Sequence, residues 1–166
     1  GDEARAKYNE YKTFGDTLIY QGITCWSPNI NIYRDPRWGR GHETYGEDPY
    51  LTGVMGTAYV KGLQGDGRYR KCDATLKHYA VHSGPEEKRH HFDAVVNDKD
   101  LYETYLWAFR YVIENAQPAA VMGAYNRTNG EACCASDRLL KDILRGEFGF
   151  DGYVVSDCGA IRDINE

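Results

Sequence analysis

The chain has 166 residues and a net charge of −5, with 42% hydrophobic and 27% charged residues, a balance that supports a folded core and excludes an intrinsically disordered chain. Its basic residues are scattered apart from Arg34, Arg37 and Arg40, which argues against a nucleic-acid surface. No apolar run approaches the roughly 20 residues that cross a bilayer, so no membrane partner is expected.

In chain order, residues 3–14 are polar and mixed and read as a helix. Ile23 to Ile32 is a β-rich stretch around Pro28, ending in the charged loop Arg34-Asp35-Pro36-Arg37-Trp38-Gly39-Arg40. Asp48-Pro49 marks a helix start, with Asp as N-cap and Pro at the first helical position. Leu51, Val54, Met55, Ala58 and Leu63 give that helix an apolar stripe, and Gly65-Asp66-Gly67 ends it. Cys72 to Val81 reads as a strand and His82 to Asp93 as a polar loop. Asn97 caps a helix over 98–115 whose apolar face is Leu101, Tyr105, Ala108, Phe109 and Val112. Pro118 stops it before a strand at Ala119 to Tyr125. Ser136 caps a shorter helix with Leu139, Leu140, Ile143 and Leu144 inward, which Gly146 closes. The last strand is Gly152 to Ser156.

This alternation predicts an α/β fold with a parallel sheet and helical crossovers. A closed α/β barrel takes about 250 residues, so residues 1–166 are expected to be roughly four strands of a TIM-like (β/α)8 barrel. The chain opens Gly1-Asp2-Glu3 without methionine and stops at Glu166 just past a strand, so it reads as one partial domain truncated at both ends. Half a barrel would expose strand edges and an apolar interior, and the isolated segment is expected to be inactive and either to associate or to be unstable. Five cysteines is an odd number, Cys133 and Cys134 are adjacent, and there is no C-x-x-C. That pattern reads as free thiols in a reducing compartment, cytoplasmic in preference to periplasmic or secreted.

Chemistry-bearing residues fall where apolar strands end. Ala74-Thr75-Leu76 runs into Lys77-His78, Ala119 to Met122 into Tyr125-Asn126, and Val154-Val155-Ser156 into Asp157-Cys158-Gly159. In an α/β barrel such positions open onto the catalytic face. Asp157 there can be a nucleophilic carboxylate of a glycosidase, a metal ligand, or a loop cap. Lys77-His78 can clamp sugar hydroxyls and keep a neighbouring carboxylate ionised; a Schiff-base lysine, as in barrel aldolases, is the rival reading of Lys77. His78 and His82 would lie about 13 Å apart on an extended strand, too far for a zinc pair, and His90 and His91 read as solvated loop residues. In the Arg34 to Asp48 loop a rigid guanidinium braced by the other charges could hold vicinal hydroxyls, as opposed to a salt-bridged surface loop.

Taken together, these motifs resemble glycoside hydrolase family 3 across residues 25–161. The loop Arg34 to Arg40 with Glu43 and Gly46-Glu47-Asp48-Pro49 is similar to the family's signature loop. Leu76-Lys77-His78-Tyr79, Met122-Gly123-Ala124-Tyr125-Asn126 and Ser156-Asp157 are similar to its Lys-His, Tyr-Asn and nucleophile motifs. The resemblance implies a retaining exo-β-glycosidase in which Asp157 is the nucleophile, Arg40, Lys77 and His78 hold hydroxyls of the non-reducing sugar, Tyr125 sits against the nucleophile and Met122 lines the pocket floor. Trp26 and Arg89 match sugar-contacting positions of the xylosidase-like branch. Cys158 stands where glucosidases often carry tryptophan, and Asn126 to Gly130 and Cys133 to Ser136 also look like the β-xylosidase branch. The implied substrate is a β-linked xylo-oligosaccharide first and a gluco-oligosaccharide second, with no metal and no organic cofactor. The family's general acid/base glutamate has no counterpart here and is expected from a following α/β sandwich domain that would complete the site. The loop histidine used by the N-acetylglucosaminidase branch follows Pro-Gly-His, whereas this chain reads Ala80-Val81-His82. A non-catalytic sugar-binding homologue is the alternative from a different class.

Overall fold

The computed structural model describes residues 1–15 and 18–165. Its strands are β1 (Thr24–Cys25), β2 (Asp73–Tyr79), β3 (Asp93–Ala94), β4 (Ala120–Gly123), β5 (Arg127–Thr128), β6 (Glu131–Ala132) and β7 (Tyr153–Ser156). Four of them, in the order β1-β2-β4-β7, make the parallel sheet that the alternation predicts. The run of small and branched apolar residues in β2 and β4 suits strands covered on both faces; Ala74, Leu76, Ala120 and Val121 have no exposed surface.

Helices cross between the strands: α1 (Asp2–Thr13), α2 (Pro49–Gln64), α3 (Asp98–Asp100) and α4 (Trp107–Ala116), with a wider i→i+5 turn at Leu101–Tyr105 joining α3 to α4 and a second helix of that register at Arg138–Glu147. Their starts follow from side-chain caps. The carboxylate of Asp48 accepts from the amide of Leu51 with Pro49 at the first position, Asn97 Oδ1 accepts from Asp100, and Ser136 Oγ accepts from Leu139. Gly65, at φ 74°, ends α2 as the glycine cluster there predicts. The core joins the sheet to α4 and the Arg138–Glu147 helix. Tyr79 meets Phe109 edge to face at 5.1 Å, and its buried hydroxyl donates to the carbonyl of Leu139.

Some expectations are corrected. The apolar stripe of α2 faces outward: Leu51, Val54 and Met55 are 48%, 37% and 45% exposed. The buried face is instead Thr52, Gly53, Gly56, Val60 and Gln64. Missing side chains decide this, because a Cβ on Gly53 would lie 2.7 Å from Trp107 Cζ3 and one on Gly56 would lie 3.0 Å from Ile30. The two glycines let α2 approach α4 and the sheet closely, and that contact outweighs the stripe. The Ile23 to Ile32 stretch pairs as a strand only at β1, with a single further bridge from Asn29 to Lys77. The Arg138–Glu147 helix runs past Gly146, and Gly149, at φ 64°, is the glycine that takes the left-handed conformation. Finally, residues 93–94, 127–128 and 131–132, none of them read as a strand, build a small second sheet, β3-β5-β6, in which β5 and β6 form a hairpin around Asn129-Gly130, both at positive φ.

Candidate active site

His78 leaves β2 with no exposed surface, so each of its polar atoms needs a partner. Asn31 supplies three contacts. Its Nδ2 donates to the His78 carbonyl at 2.8 Å, and its Oδ1 accepts from the His78 amide at 2.8 Å and from Nδ1 at 2.9 Å. An amide oxygen only accepts, so Nδ1 carries the proton. The lone pair of Nε2 is then free to accept from Arg40 Nη1 at 2.7 Å. Burial, followed by His82 and Arg40, holds this imidazole well below its usual range, so it is neutral.

Arg40 is fixed from its other side by Glu43, whose two carboxylate oxygens receive Nε at 2.6 Å and Nη2 at 2.8 Å. This fork is the bracing expected of the signature loop, and only one of its three arginines reaches the site. Arg37 pairs with Asp35 on the surface, while Arg34 donates to the Ser83 carbonyl and lies over Phe92 and Tyr105. Trp38 is buried and meets His82 edge to face at 5.9 Å. The Gly39 amide donates to Glu86, tying this loop to the one after β2.

Asp157 stands at the end of β7, its amide donating to the Gly123 carbonyl of β4. The residue is 6% exposed. Oδ1 accepts from the Cys158 amide at 2.7 Å. Among the described residues Oδ2 is buried without a hydrogen-bond partner. It lies 3.4 Å from His78 Nε2, but that nitrogen has already spent its lone pair on Arg40, so the contact is not a salt bridge. Burying a carboxylate costs several kcal/mol unless positive charge is near. Arg40 and Lys77 supply that charge. Lys77 is pushed down by burial and by Arg40 and held up in part by Glu43 and Asp157. Tyr125 donates its hydroxyl to the Cys158 carbonyl at 2.9 Å, and burial together with the charge of Asp157 raises it to about 12. It is therefore a phenol at neutral pH.

The structure thus brings together Arg40, Lys77, His78, Tyr125, Asp157 and Cys158. Arg89 joins at the rim, its guanidinium 5.8 Å from the Tyr125 ring centre and paired with Glu86. Met122 is buried on β4 beside Val155, and Trp26 lies just past β1 with 43% of its surface exposed. The separation expected for His78 and His82 is corrected. β2 ends at Tyr79 and the chain turns through Val81 at φ 60°, so the two rings approach to 4.4 Å. His82 donates Nδ1–H to Asn126 Oδ1, and burial lowers it to about 4. His90 is also not merely solvated, since its Nδ1 lies 2.8 Å from the buried carboxylate of Asp163. Asn31 and Asp163 are supporting residues the sequence reading missed, whereas Asn126, singled out at its strand end without a role, serves to hold His82. Among the described residues no group of three or more His, Cys, Asp or Glu side chains is placed to hold a metal ion.

A parallel sheet with a buried carboxylate and an ammonium at its strand ends, and a guanidinium brought to them by a loop, defines an α/β protein with a polar site at the carboxyl ends of the strands. The chain belongs to glycosyl hydrolase family 3: residues 12–166 match that family's N-terminal domain, whose TIM-like barrel has the same α/β class. It is 54% identical, over 99% of its length and 20% of the relative's, to a xylan 1,4-β-xylosidase of Xylanibacter ruminicola. It is 44% identical, over 97% of its length and 21% of the relative's, to β-xylosidase/α-L-arabinofuranosidase 1 of Medicago sativa subsp. varia. A solved exo-β-xylosidase of the family, XlnD in complex with a xylobiose aziridine activity-based probe, superimposes with a TM-score of 0.87 at 36% identity, covering 97% of this chain and 21% of that one. β-Glucosidase 3B from Thermotoga neapolitana in complex with α-D-glucose gives 0.77 at 35% identity, covering 93% and 20%. The chain therefore spans about a fifth of the length of these relatives.

Proposed function

We propose that this chain is part of the catalytic barrel of a longer protein, a retaining exo-β-glycosidase that releases terminal β-D-xylose from xylo-oligosaccharides. The observation that carries this reading is Asp157, a nearly buried carboxylate with Oδ1 held by the Cys158 amide and Oδ2 unpartnered between Arg40, Lys77 and His78. In this reading Oδ2 attacks the anomeric carbon and forms a covalent glycosyl-enzyme, which water then cleaves. Arg40, held by Glu43, and Lys77 present charged donors to the hydroxyls of the terminal sugar. The neutral His78, itself fully buried, acts on the sugar through Arg40, which it orients, while Tyr125 stays protonated beside the nucleophile, with Met122, Trp26 and Arg89 around the pocket. The carboxylic acid that protonates the leaving oxygen comes from a sandwich domain beyond this chain. Burial and Arg40 lower Lys77, the direction a Schiff-base lysine also needs, so it is the family match and not the charge setting that favours hydroxyl binding.

Xylose is preferred because the curated relatives described above are named xylosidases and because Cys158, and not a tryptophan, follows Asp157, as in the β-xylosidase branch. Excluding a hydroxymethyl group is worth only about 1–3 kcal/mol, so β-glucoside hydrolysis at a lower rate accompanies it. Asp157→Asn in the full-length protein tests the assignment. Turnover is expected to fall on the order of 10⁴-fold while xylose binding by calorimetry persists. A variant that keeps its turnover would remove Asp157 from the mechanism.

A further inference from the structure

Asp163 is an expensive residue to place where it is. It sits in the short helical turn Arg162–Ile164 that follows β7 and is 7% exposed. A buried carboxylate is tolerated when a hydrogen-bonded partner meets it. That partner is His90, from the loop after β2, whose Nδ1 lies 2.8 Å from Asp163 Oδ2. Arg127 adds only a 3.4 Å contact to the Asp163 main-chain oxygen. A carboxylate accepts, so the proton sits on His90 Nδ1, and the ring's other nitrogen, Nε2, is turned to the opposite edge. The His90 side chain is 48% exposed, and its ring lies 4.5 Å from that of Tyr125. Tyr125 is in turn fastened to the Cys158 carbonyl, one residue from Asp157. The outcome is a half-exposed imidazole, locked in orientation by a buried acid and linked through Tyr125 to the residue that follows Asp157.

We propose that His90, positioned by Asp163, binds the second sugar unit of the substrate, the leaving group of the cleavage reaction, through a hydrogen bond from a sugar hydroxyl to Nε2 or the reverse. This rests on the exo-glycosidase reading above. In an exo-acting pocket the terminal unit occupies the closed end beside Asp157, and the remainder of the oligosaccharide leaves through the mouth, past groups that are exposed and fixed. A ring already held on two sides loses little conformational freedom when it binds. Asp163 acts through His90 and is a positioning residue.

The test compares substrates with and without a second sugar in the full-length protein. His90→Phe keeps the ring against Tyr125 and removes Nε2. It is expected to lower kcat/KM for xylobiose about tenfold, the worth of one hydrogen bond, through KM, and to leave methyl β-xyloside within about twofold. His90→Gln, which restores a polar group, is expected to recover part of the loss, and Asp163→Ala to follow His90→Phe. Binding in an Asp157→Asn background gives the same contrast without turnover, with xylobiose affinity falling and xylose affinity unchanged. Equal losses on both substrates, or no loss on xylobiose, would overturn the proposal. So would a loss on 2,4-dinitrophenyl xyloside that azide restores, since that would make His90 the proton donor. If the unmodified protein neither turns over nor binds xylobiose, the exo-glycosidase reading fails first, and the subsite with it.

Discussion

The two halves of the site come from strands in different surroundings. Lys77 and His78 leave β2, at the centre of the sheet, where Ala74, Thr75, Leu76 and Tyr79 are fully buried and Asn31 satisfies His78 on three atoms. Asp157 leaves β7, the last strand of the sheet that this chain contains, where Tyr153 is 39% exposed and Val154, Val155 and Ser156 are partly covered; in a closed barrel a further strand pairs there. Its carboxylate is held on one oxygen and unpartnered on the other. The Lys77–His78 half is thus set by packed and hydrogen-bonded neighbours, whereas among the described residues Asp157 Oδ2 is left unsatisfied. A functional site that stores an unpaired polar atom does so at a cost in stability which the packed centre must carry.

Substitutions in the two strands should separate these roles. Leu76→Ala in β2 is expected to destabilise the full-length protein by about 2–5 kcal/mol in denaturant unfolding, and Val155→Ala in β7, which removes fewer carbons, by less; a Leu76→Ala loss below about 1 kcal/mol would deny the packed centre. Asn31→Ala leaves buried groups of His78 unpaired and is expected to cost about 1–3 kcal/mol, with KM rising because Arg40 loses its oriented acceptor.

The pH dependence sharpens the same contrast. His82 titrates at about 4 in the fold against an ordinary 6.5, so the unfolded chain binds the proton first as pH falls. The stability His82 contributes is complete above about 6.5. It is lost at about 1.4 kcal/mol per pH unit down to about 4 and changes no further below that. His78, held lower still, adds a loss of the same sign. His82→Asn should flatten the acid limb of a stability-against-pH curve; an unchanged limb would place the proton elsewhere. The smallest effect belongs to Gly53→Ala. A clash with Trp107, worth about 1–3 kcal/mol, is partly offset by about 1 kcal/mol of helix propensity, and the net loss is readable in the unfolding midpoint.

Much of the site's skeleton was legible because each strand ends in a change of chemistry. An apolar run handing over to Lys77-His78, to Tyr125-Asn126 or to Asp157 places those residues on one edge of a parallel sheet, whatever the details of packing. What stayed hidden depends on contacts between segments far apart in sequence. Asn31 lies 47 residues from His78 and Asp163 73 from His90, and neither carries a local pattern. The outward stripe of α2 misled because apolar periodicity reports where hydrophobic atoms are and not where close approach needs none; Gly53 and Gly56 were the signal. The accessory sheet did have a local sign, the Asn129-Gly130 turn, which was absorbed into a family motif and not read as a hairpin.

The central claim is that Asp157 Oδ2 forms the covalent intermediate. Incubating the full-length protein with an activated 2-deoxy-2-fluoro-xyloside, alongside the matching glucoside, and mapping the labelled peptide tests it directly. A single sugar adduct on Asp157, formed faster by the xyloside, is the result this account requires; an adduct on another carboxylate, or none from either reagent, would contradict it.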